Sequence, residues 1–424
     1  MNTDRIQATY LIETPMDPAR IAAVMAGEQS SGTFVRVAGE TDELRARAAA
    51  EVLDVTELEP VGAPSLESAY LERKAVRGPY RRAVVRIAFP VANIGRNLPT
   101  LAATVSGNLY DIGELTGLKL LSLSIPQAYR TRYPMPTMGI AGTRAQLGVY
   151  DRPLFGTIIK PNVGMRSSEI ADLVETLCEA GVDFIKDDEV CANPDHAPIA
   201  ERVPAVMARI RAFRDRTGRD VMMAFNITDE TNAMRRHADL VAAEGGSCVM
   251  ASLNWCGLSG MESLRAHTPL AIHAHRNGFG AMSRHPLLGI AFDAYQAMYR
   301  LAGVDHMHVH GIGGKFVDAA DEVESAAKRC IAPLAADGTD PDDRVMPAFS
   351  SGQWAGTLPR TFEAVGSPDF LFMAGGGILA HPQGPTAGVQ SLRQAWDAIG
   401  SGQTLNAWAR KAPELGAALD FFGS

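Results

Sequence analysis

The feature that most constrains this chain is an eightfold rhythm that begins near residue 150. A short apolar run is followed by a loop and then by an amphipathic stretch. The runs span 154–160, 183–189, 220–227, 247–253, 269–276, 305–310, 344–351 and 369–376. Helical patterns lie between or beyond them at 168–180, 199–214, 229–243, 287–302, 318–332 and 389–399. Strands alternating with helical segments make βαβ units, and near-continuous apolar strands suit a parallel sheet covered on both faces. Eight such units predict a closed (β/α)8 barrel, an α/β fold. A doubly wound sheet is the alternative. It would want a glycine-rich phosphate turn after its first strand, where this chain reads Ile158-Ile159-Lys160-Pro161-Asn162.

Residues 1–145 break the rhythm. Strands are predicted at 7–13, 33–38 and 82–89, and helices at 18–27, 42–52 and 98–106. This pattern reads as a small α+β domain of the ferredoxin-like kind. The stretch 135–148, rich in Pro, Gly and Thr, reads as a linker. The predicted organisation is therefore an N-terminal α+β domain over 1–145 and a barrel catalytic domain over 146–424.

Composition narrows the classes. Hydrophobic residues make up 46% and charged residues 21%, which excludes a disordered chain. The net charge of −8 argues against nucleic acid, whose phosphates need a basic face. No window approaches the roughly 18 uninterrupted apolar residues of a membrane span. The five cysteines are odd in number and contain no CxxC pair, which argues against a disulfide framework or a zinc knuckle. The N-terminus lacks a basic segment followed by an apolar one, so a cytoplasmic location is expected.

In a parallel barrel the C-terminal strand ends carry the chemistry. Here the unusual polar residues crowd those ends: Lys160; Lys186-Asp187-Asp188-Glu189; His273, His275 and Arg276; His306, His308 and His310; Ser350-Ser351-Gly352-Gln353; and Gly375-Gly376-Gly377. Lys186 and Asp188 are two apart and share a strand face, with Glu189 at the strand end. Two carboxylates with few soft ligands suit a hard cation such as Mg2+. A lysine joins such a site only as a carbamate formed with CO2. A solvated charge cluster is the plain alternative. His-x-His pairs also occur in zinc hydrolases, although usually on the first strand. The triple glycine after the last run fits a phosphate held on backbone N–H groups, or simply a tight turn. Residues 311–315 are not a Walker loop, because Val309 stands where the first glycine is needed. They read as a glycine-hinged loop that carries Lys315 over a substrate.

These residues, in this order, resemble the large-chain superfamily of ribulose-bisphosphate carboxylase, and more closely its RuBisCO-like proteins. The resemblance rests on Glu28 through Phe34, Ser106-Gly107-Asn108, Gly156 through Pro161, Asp183 through Glu189, His275-Arg276, Asp305 through His308 with Lys315 seven residues on, Ser351-Gly352, and Gly375 through Pro382. It implies Mg2+ bound by a carbamate on Lys186 with Asp188 and Glu189. It implies that Lys160 is the acid/base lysine and that His275 assists proton transfer. Arg276, His308 and Ser351 would hold one anionic end of the substrate; Thr33, Lys315, Gly375 and Gly376 would hold the other. It implies a homodimer or larger, with the partner's Glu28, Thr33 and Asn108 completing the site.

Departures from the carboxylase pattern bear on the reaction. Asn162 stands for a second lysine, Phe34 for a tryptophan, Phe279 for a histidine, His310 for a glycine, and Gln353 for the second glycine beside Gly352. These changes argue against CO2 fixation and for a different or singly phosphorylated substrate. The methionine-salvage enolase branch uses an N-terminal lysine where this chain has Asn108. The remaining resemblance is to the branch acting on 3-oxo-isoapionate 4-phosphate, by decarboxylation or by transcarboxylation with hydrolysis, in apiose breakdown. A ketose-phosphate enolase or isomerase, and a non-catalytic binding protein, are the alternatives.

Overall fold

A computed structural model describes residues 4–32, 37, 39–335 and 342–423. The predicted strand at 33–38 falls mostly outside them. The chain forms two compact units: Met1–Pro134 with Gly278–Ala302 and Pro333–Asp342, and Met135–Asn277 with Gly303–Ala332 and Asp343–Ser424.

The first unit is built on β1 (Arg5–Thr14), β2 (Glu51–Val61), β3 (Tyr80–Pro90) and β4 (Gly117–Ser124). In space they run β4-β1-β3-β2, with every neighbouring pair antiparallel. Helix Pro18–Glu28 follows β1 and helix Leu98–Ser106 follows β3. This is the ferredoxin-like βαββαβ order. The alternation along β1 puts Ile6, Ala8, Tyr10 and Ile12 on one fully buried face. Two expectations change here. The predicted helix at 42–52 ends at Ala48, and the next residues open β2, whose side chains are mostly exposed at a sheet edge. β4 was not foreseen.

Glu13 ties this sheet together. It is fully buried on β1 and accepts hydrogen bonds from Ser65 N and Oγ, Arg82 Nε and Thr116 Oγ1 at 2.6–2.9 Å. Burial alone would raise its pKa, but these donors outweigh that and hold it below the usual carboxylate value.

The second unit is the barrel. Its strands are β5 (Leu154–Ile158), β6 (Phe184–Lys186), β7 (Met222–Asn226), β8 (Cys248–Ser252) and β9 (Ala271–His275). After the short β10 (Leu288–Ile290), which pairs with β4 in the first unit's sheet, come β11 (His306–His308), β12 (Met346–Phe349) and β13 (Leu371–Met373). The eight barrel strands are parallel and the ring is closed, with β13 pairing to β5. The predicted helix at 287–302 is thus β10 followed by helix Phe292–Leu301. Its leading apolar residues fit either period.

Leu154, Phe184, Met222, Met250, Met346, Leu371 and Met373 fill the barrel core. At the start of the barrel strands, the predicted linker is a packed helix, Gly139–Leu147. Asp305 Oδ1 accepts from Met138 N and Gly139 N at 2.6 and 3.0 Å, while its Oδ2 accepts from Ile272 N and Arg265 Nη1 at 2.7 and 3.1 Å. Arg144 donates to Asp369 Oδ1 at 2.7 Å and to three backbone carbonyls. Gly and Pro here shape a tight entry and do not loosen the chain.

We expect Glu13→Gln to destabilise the protein by about 2–3 kcal/mol, because it removes the carboxylate charge that faces Arg82 in a buried cluster of donors. Glu13's contribution is complete above its unfolded pKa and is lost as pH falls through the lower folded value. Urea unfolding of wild type and variant at pH 7 and below pH 4 checks this: the gap should shrink on acidification.

Candidate active site

β6 ends at Lys186, which has no exposed surface. Its Nζ donates to Asp187 O at 3.0 Å and lies 3.7 Å from Glu189 Oε2. Burial pulls its pKa down; the Glu189 and Asp188 carboxylates oppose this, and Lys160 adds to it. Asp187 takes a structural role. It faces Arg202 Nη2 at 3.2 Å and accepts from Asn226 N at 2.9 Å. Asn226 is the last residue of β7, and its Nδ2 donates to the carbonyls of Asp188 and Glu189 at 3.0 and 3.2 Å. Those bonds fix the turn that carries both carboxylates. Neither Asn226 nor Arg202 was singled out from sequence, although Asn226 is the one polar residue of a fully buried strand.

Lys160 follows β5 and reaches the same place. Its Nζ donates to Asp188 Oδ2 at 2.8 Å and to Asn162 Oδ1 at 2.6 Å. His275, at the end of β9, brings Nε2 to 3.6 Å from Glu189 Oε2, while its Nδ1 accepts from Asn277 N at 3.3 Å. Burial pushes the His275 pKa well below normal, with Lys186 adding to the effect and Asp188 opposing it. Three strands thus deliver Lys160, Lys186, Asp188, Glu189 and His275 to one cluster. Among the described residues, no group of three His, Cys, Asp or Glu side chains is arranged to hold a metal. Asp188 and Glu189 supply two hard oxygen donors. A third anionic oxygen fits if the buried Lys186 amine carries CO2, so the donor set suits Mg2+.

Below the cluster runs a ladder of buried imidazoles. His306 Nε2 meets Thr143 Oγ1 at 2.8 Å, and Thr143 gives its only hydroxyl proton to Gly139 O at 2.6 Å. His306 Nε2 must therefore be the donor. The remaining protons follow if each ring is neutral. His273 Nδ1–H donates to His306 Nδ1 at 3.3 Å, His308 Nε2–H to His273 Nε2 at 2.7 Å, and Ser350 Oγ–H to His308 Nδ1 at 3.1 Å. Burial favours neutral rings, holding His306 down to about 4 and His273 and His308 well below normal. Phe184 packs on His273 and His306, with ring centroids 5.0 and 5.7 Å away. Of the histidines of the His-x-His pairs, His273, His306 and His308 bond one another, His275 and His310 turn to Asn277 and Asp318, and they do not converge on a zinc-like centre. Thr143 was missed in sequence, because its partner is 163 positions away.

The loops beyond β11 and β12 pack closely. A Cβ at Gly311 would sit 1.9 Å from Gln353 Nε2 and 2.7 Å from Ser350 O, so glycine is required there. Ser351 and His310 have φ of +75° and +66°, in the left-handed region that most residues avoid. Gly352 shares that region, and Gln353 is buried, bonding Ser351 O and Thr357 Oγ1. Asp318 Oδ2 accepts from Arg276 Nη2 at 3.2 Å and from His310 Nδ1. Lys315 is exposed, with Nζ 5.5 Å from the Phe316 ring centroid. Gly375 and Gly376 open the short helix Gly375–Leu379 after β13. In the first unit, Glu28 and Asn108 line one cleft with Val24, Tyr70 and Asp111. Thr33 lies outside the described residues.

The ladder fixes an observable. In protein labelled with 15N-histidine, His306 and His308 should carry the proton on Nε2 and His273 on Nδ1, and all three should stay neutral at pH 6. An imidazolium signal from any of them at pH 6 would contradict the ladder.

Residues 139–422 match the family described as ribulose bisphosphate carboxylase large chain, catalytic domain, and residues 2–129 match the N-terminal domain of the same large chain. The chain is 44% identical to the 3-oxo-isoapionate-4-phosphate transcarboxylase/hydrolase of Xanthobacter autotrophicus, covering 99% of this chain and 100% of that one. It is 41% identical to the 3-oxo-isoapionate-4-phosphate decarboxylase of Rhizobium rhizogenes, covering 98% of each. Among solved structures, a rubisco-like protein from Burkholderia fungorum aligns with a TM-score of 0.93 at 61% identity, over 99% of this chain and 100% of that one. The octameric RuBisCO of Pyrococcus horikoshii aligns at 0.87 and 29% identity, over 100% and 94%. By its two matched domains and its near full-length relatives, this chain belongs to the ribulose bisphosphate carboxylase large-chain family, among the RuBisCO-like proteins.

Proposed function

We propose that this protein is a Mg2+-dependent lyase that cleaves the carboxyl group from a phosphorylated 3-oxo sugar acid, with 3-oxo-isoapionate 4-phosphate as the substrate, and that it does not fix CO2. The observation that carries this reading is the single cluster of Lys160, Lys186, Asp188, Glu189 and His275. The relatives named for this substrate, 44% and 41% identical over nearly their whole lengths, support it. They are named for two different fates of the carboxyl group.

In this reading Lys186, as a carbamate, holds the cation with Asp188 and Glu189. Bound there, Mg2+ acts as a Lewis acid toward the negative charge that develops on the substrate oxygens as the C–C bond breaks. The bonding pair stays with the substrate as an enediolate, and the carboxyl group leaves as CO2. Lys160 keeps a proton at Nζ between Asp188 and Asn162 and delivers it to the carbon that lost the carboxyl group. His275 assists that transfer. Lys315, Gly375 and Gly376, with Thr33, hold the phosphate. Arg276, His308, Ser351, Gly352 and Gln353 shape the opposite end. We propose a cytoplasmic homodimer or larger assembly, with the partner's Glu28, Thr33 and Asn108 completing each site.

The test is CO2 release from the 3-oxo acid phosphate with and without Mg2+. Wild type should release CO2 only with the metal. Lys186→Ala should lose both Mg2+ binding and turnover while remaining folded by thermal melt. Lys160→Met should keep Mg2+ and lose about 10²–10⁴ in rate, the usual size of general acid–base assistance. Unchanged turnover in Lys186→Ala would sink the metal–carbamate reading. Mg2+-dependent isomerisation of ketose phosphates without CO2 release would replace the lyase with an isomerase.

A further inference from the structure

The sequence predicts a glycine-hinged loop over 311–315 that carries Lys315. The structure uses those glycines for close contact. Of residues 311–318 only Gly313, with φ of +66°, stands in the left-handed region that favours glycine. A Cβ at Gly311 would run into the Gln353 amide and lie 2.7 Å from Ser350 O, and one at Gly314 would lie 2.5 Å from Ser351 O. Gly352 returns the contact: a Cβ there would meet Gly314 Cα at 3.4 Å and Lys315 N at 3.5 Å. Between these contacts the Ile312 side chain is buried. Gln353 is itself fixed, with Nε2 donating to Ser351 O at 3.0 Å and Oε1 accepting from Thr357 Oγ1 at 3.2 Å. Beyond Lys315, the His310 ring stacks on Phe316 with centroids 4.6 Å apart, and His310 Nδ1 donates to Asp318 Oδ2. That oxygen also accepts from Arg276 Nη2 at 3.2 Å.

Two of the residues that make these contacts, His310 and Gln353, stand where the carboxylase pattern has glycine. A glycine at either position would have no side chain to stack on Phe316, bond Asp318 or abut Gly311. We propose that His310 and Gln353 are positioning residues: they pin the loop 311–318 against the turn 351–353, so that Lys315 stands in place at the barrel mouth before substrate arrives and no hinged lid has to bring it there. A loop ordered in advance spares the substrate the cost of ordering it. That Lys315 then serves the substrate rests on the function proposed above; the pinning does not.

Lys315 and Phe316 are exposed, and the bond between them is one that trypsin recognises, so its cleavage reports how often the loop opens. Mass spectrometry follows this one bond in the purified protein and, for reference, in a synthetic peptide of residues 310–320. Wild type should be cut about 10³-fold more slowly than the peptide. The double variant His310→Gly/Gln353→Gly should be cut at Lys315 at least tenfold faster than wild type, while its thermal melt stays close to that of wild type. Its KM for the 3-oxo acid phosphate should rise at least tenfold and its kcat change less than threefold, because bound substrate then has to order the loop. Cleavage of wild type within tenfold of the peptide's rate overturns the pinning, as does an unchanged rate in the folded double variant. An opened loop with an unchanged KM overturns the positioning of Lys315. The wild-type comparison decides whether or not the variant folds. Digestion needs neither substrate nor Mg2+. Failure to release CO2 would therefore overturn the proposed reaction and leave the pinning to be judged by the cleavage rates.

Discussion

A lysine without exposed surface is the constraint around which the barrel mouth is organised. Removing an ammonium from water is costly, so Lys186 has to be neutral, paired or chemically altered. The chain meets that demand from three directions. Glu189 approaches the amine, Lys160 occupies Asp188, and Asn226 holds the turn carrying both carboxylates. Asp187 points away to Arg202 and anchors the segment against the barrel wall. Lys186 and Asp188 thus serve the cluster with the supporting Asp187 between them, and Glu189, beyond the end of β6, joins them.

The same economy of placement governs the barrel interior. Leu, Met and Phe side chains fill the core near the start of the strands, but His273, His306 and His308 carry hydrogen bonds up through it. Buried polar groups are tolerable only when their donors and acceptors are matched. The match begins at Thr143 on the helix that plugs the barrel and ends at Ser350 on the rim. Each proton position depends on the one before it, so the orientation of a rim hydroxyl is set by a carbonyl, Gly139 O, at the far end of the ladder.

Much of this was legible in the sequence, and what was not has a physical cause. The barrel strands stand out because both faces are covered, so β7 and β8 are apolar without alternation. The predicted helix ran into the first two residues of β2, and the rest of that strand was not foreseen, because its exposed, acidic side chains give no burial period. β10 was absorbed into a helix because a three-residue strand next to apolar helix residues satisfies either template. Lys160, Lys186, Asp188 and Glu189 were found by their spacing at strand ends. Thr143, Arg202, Asn226 and Asp318 were not, because their partners are fixed by the fold and leave no local pattern.

The route of the chain through β10 has a consequence for how such a protein can be taken apart or inherited. The first unit's sheet ends in a strand encoded some 160 residues after β4, its neighbour in that sheet. No single cut in the gene yields both units intact. A fragment ending before the barrel lacks an edge strand and exposes the flank of β4, while a fragment beginning at the barrel carries a strand whose sheet has been discarded. Recombination at the apparent boundary is thus penalised at the level of backbone hydrogen bonding, and the two halves of the sequence are bound to be transmitted together.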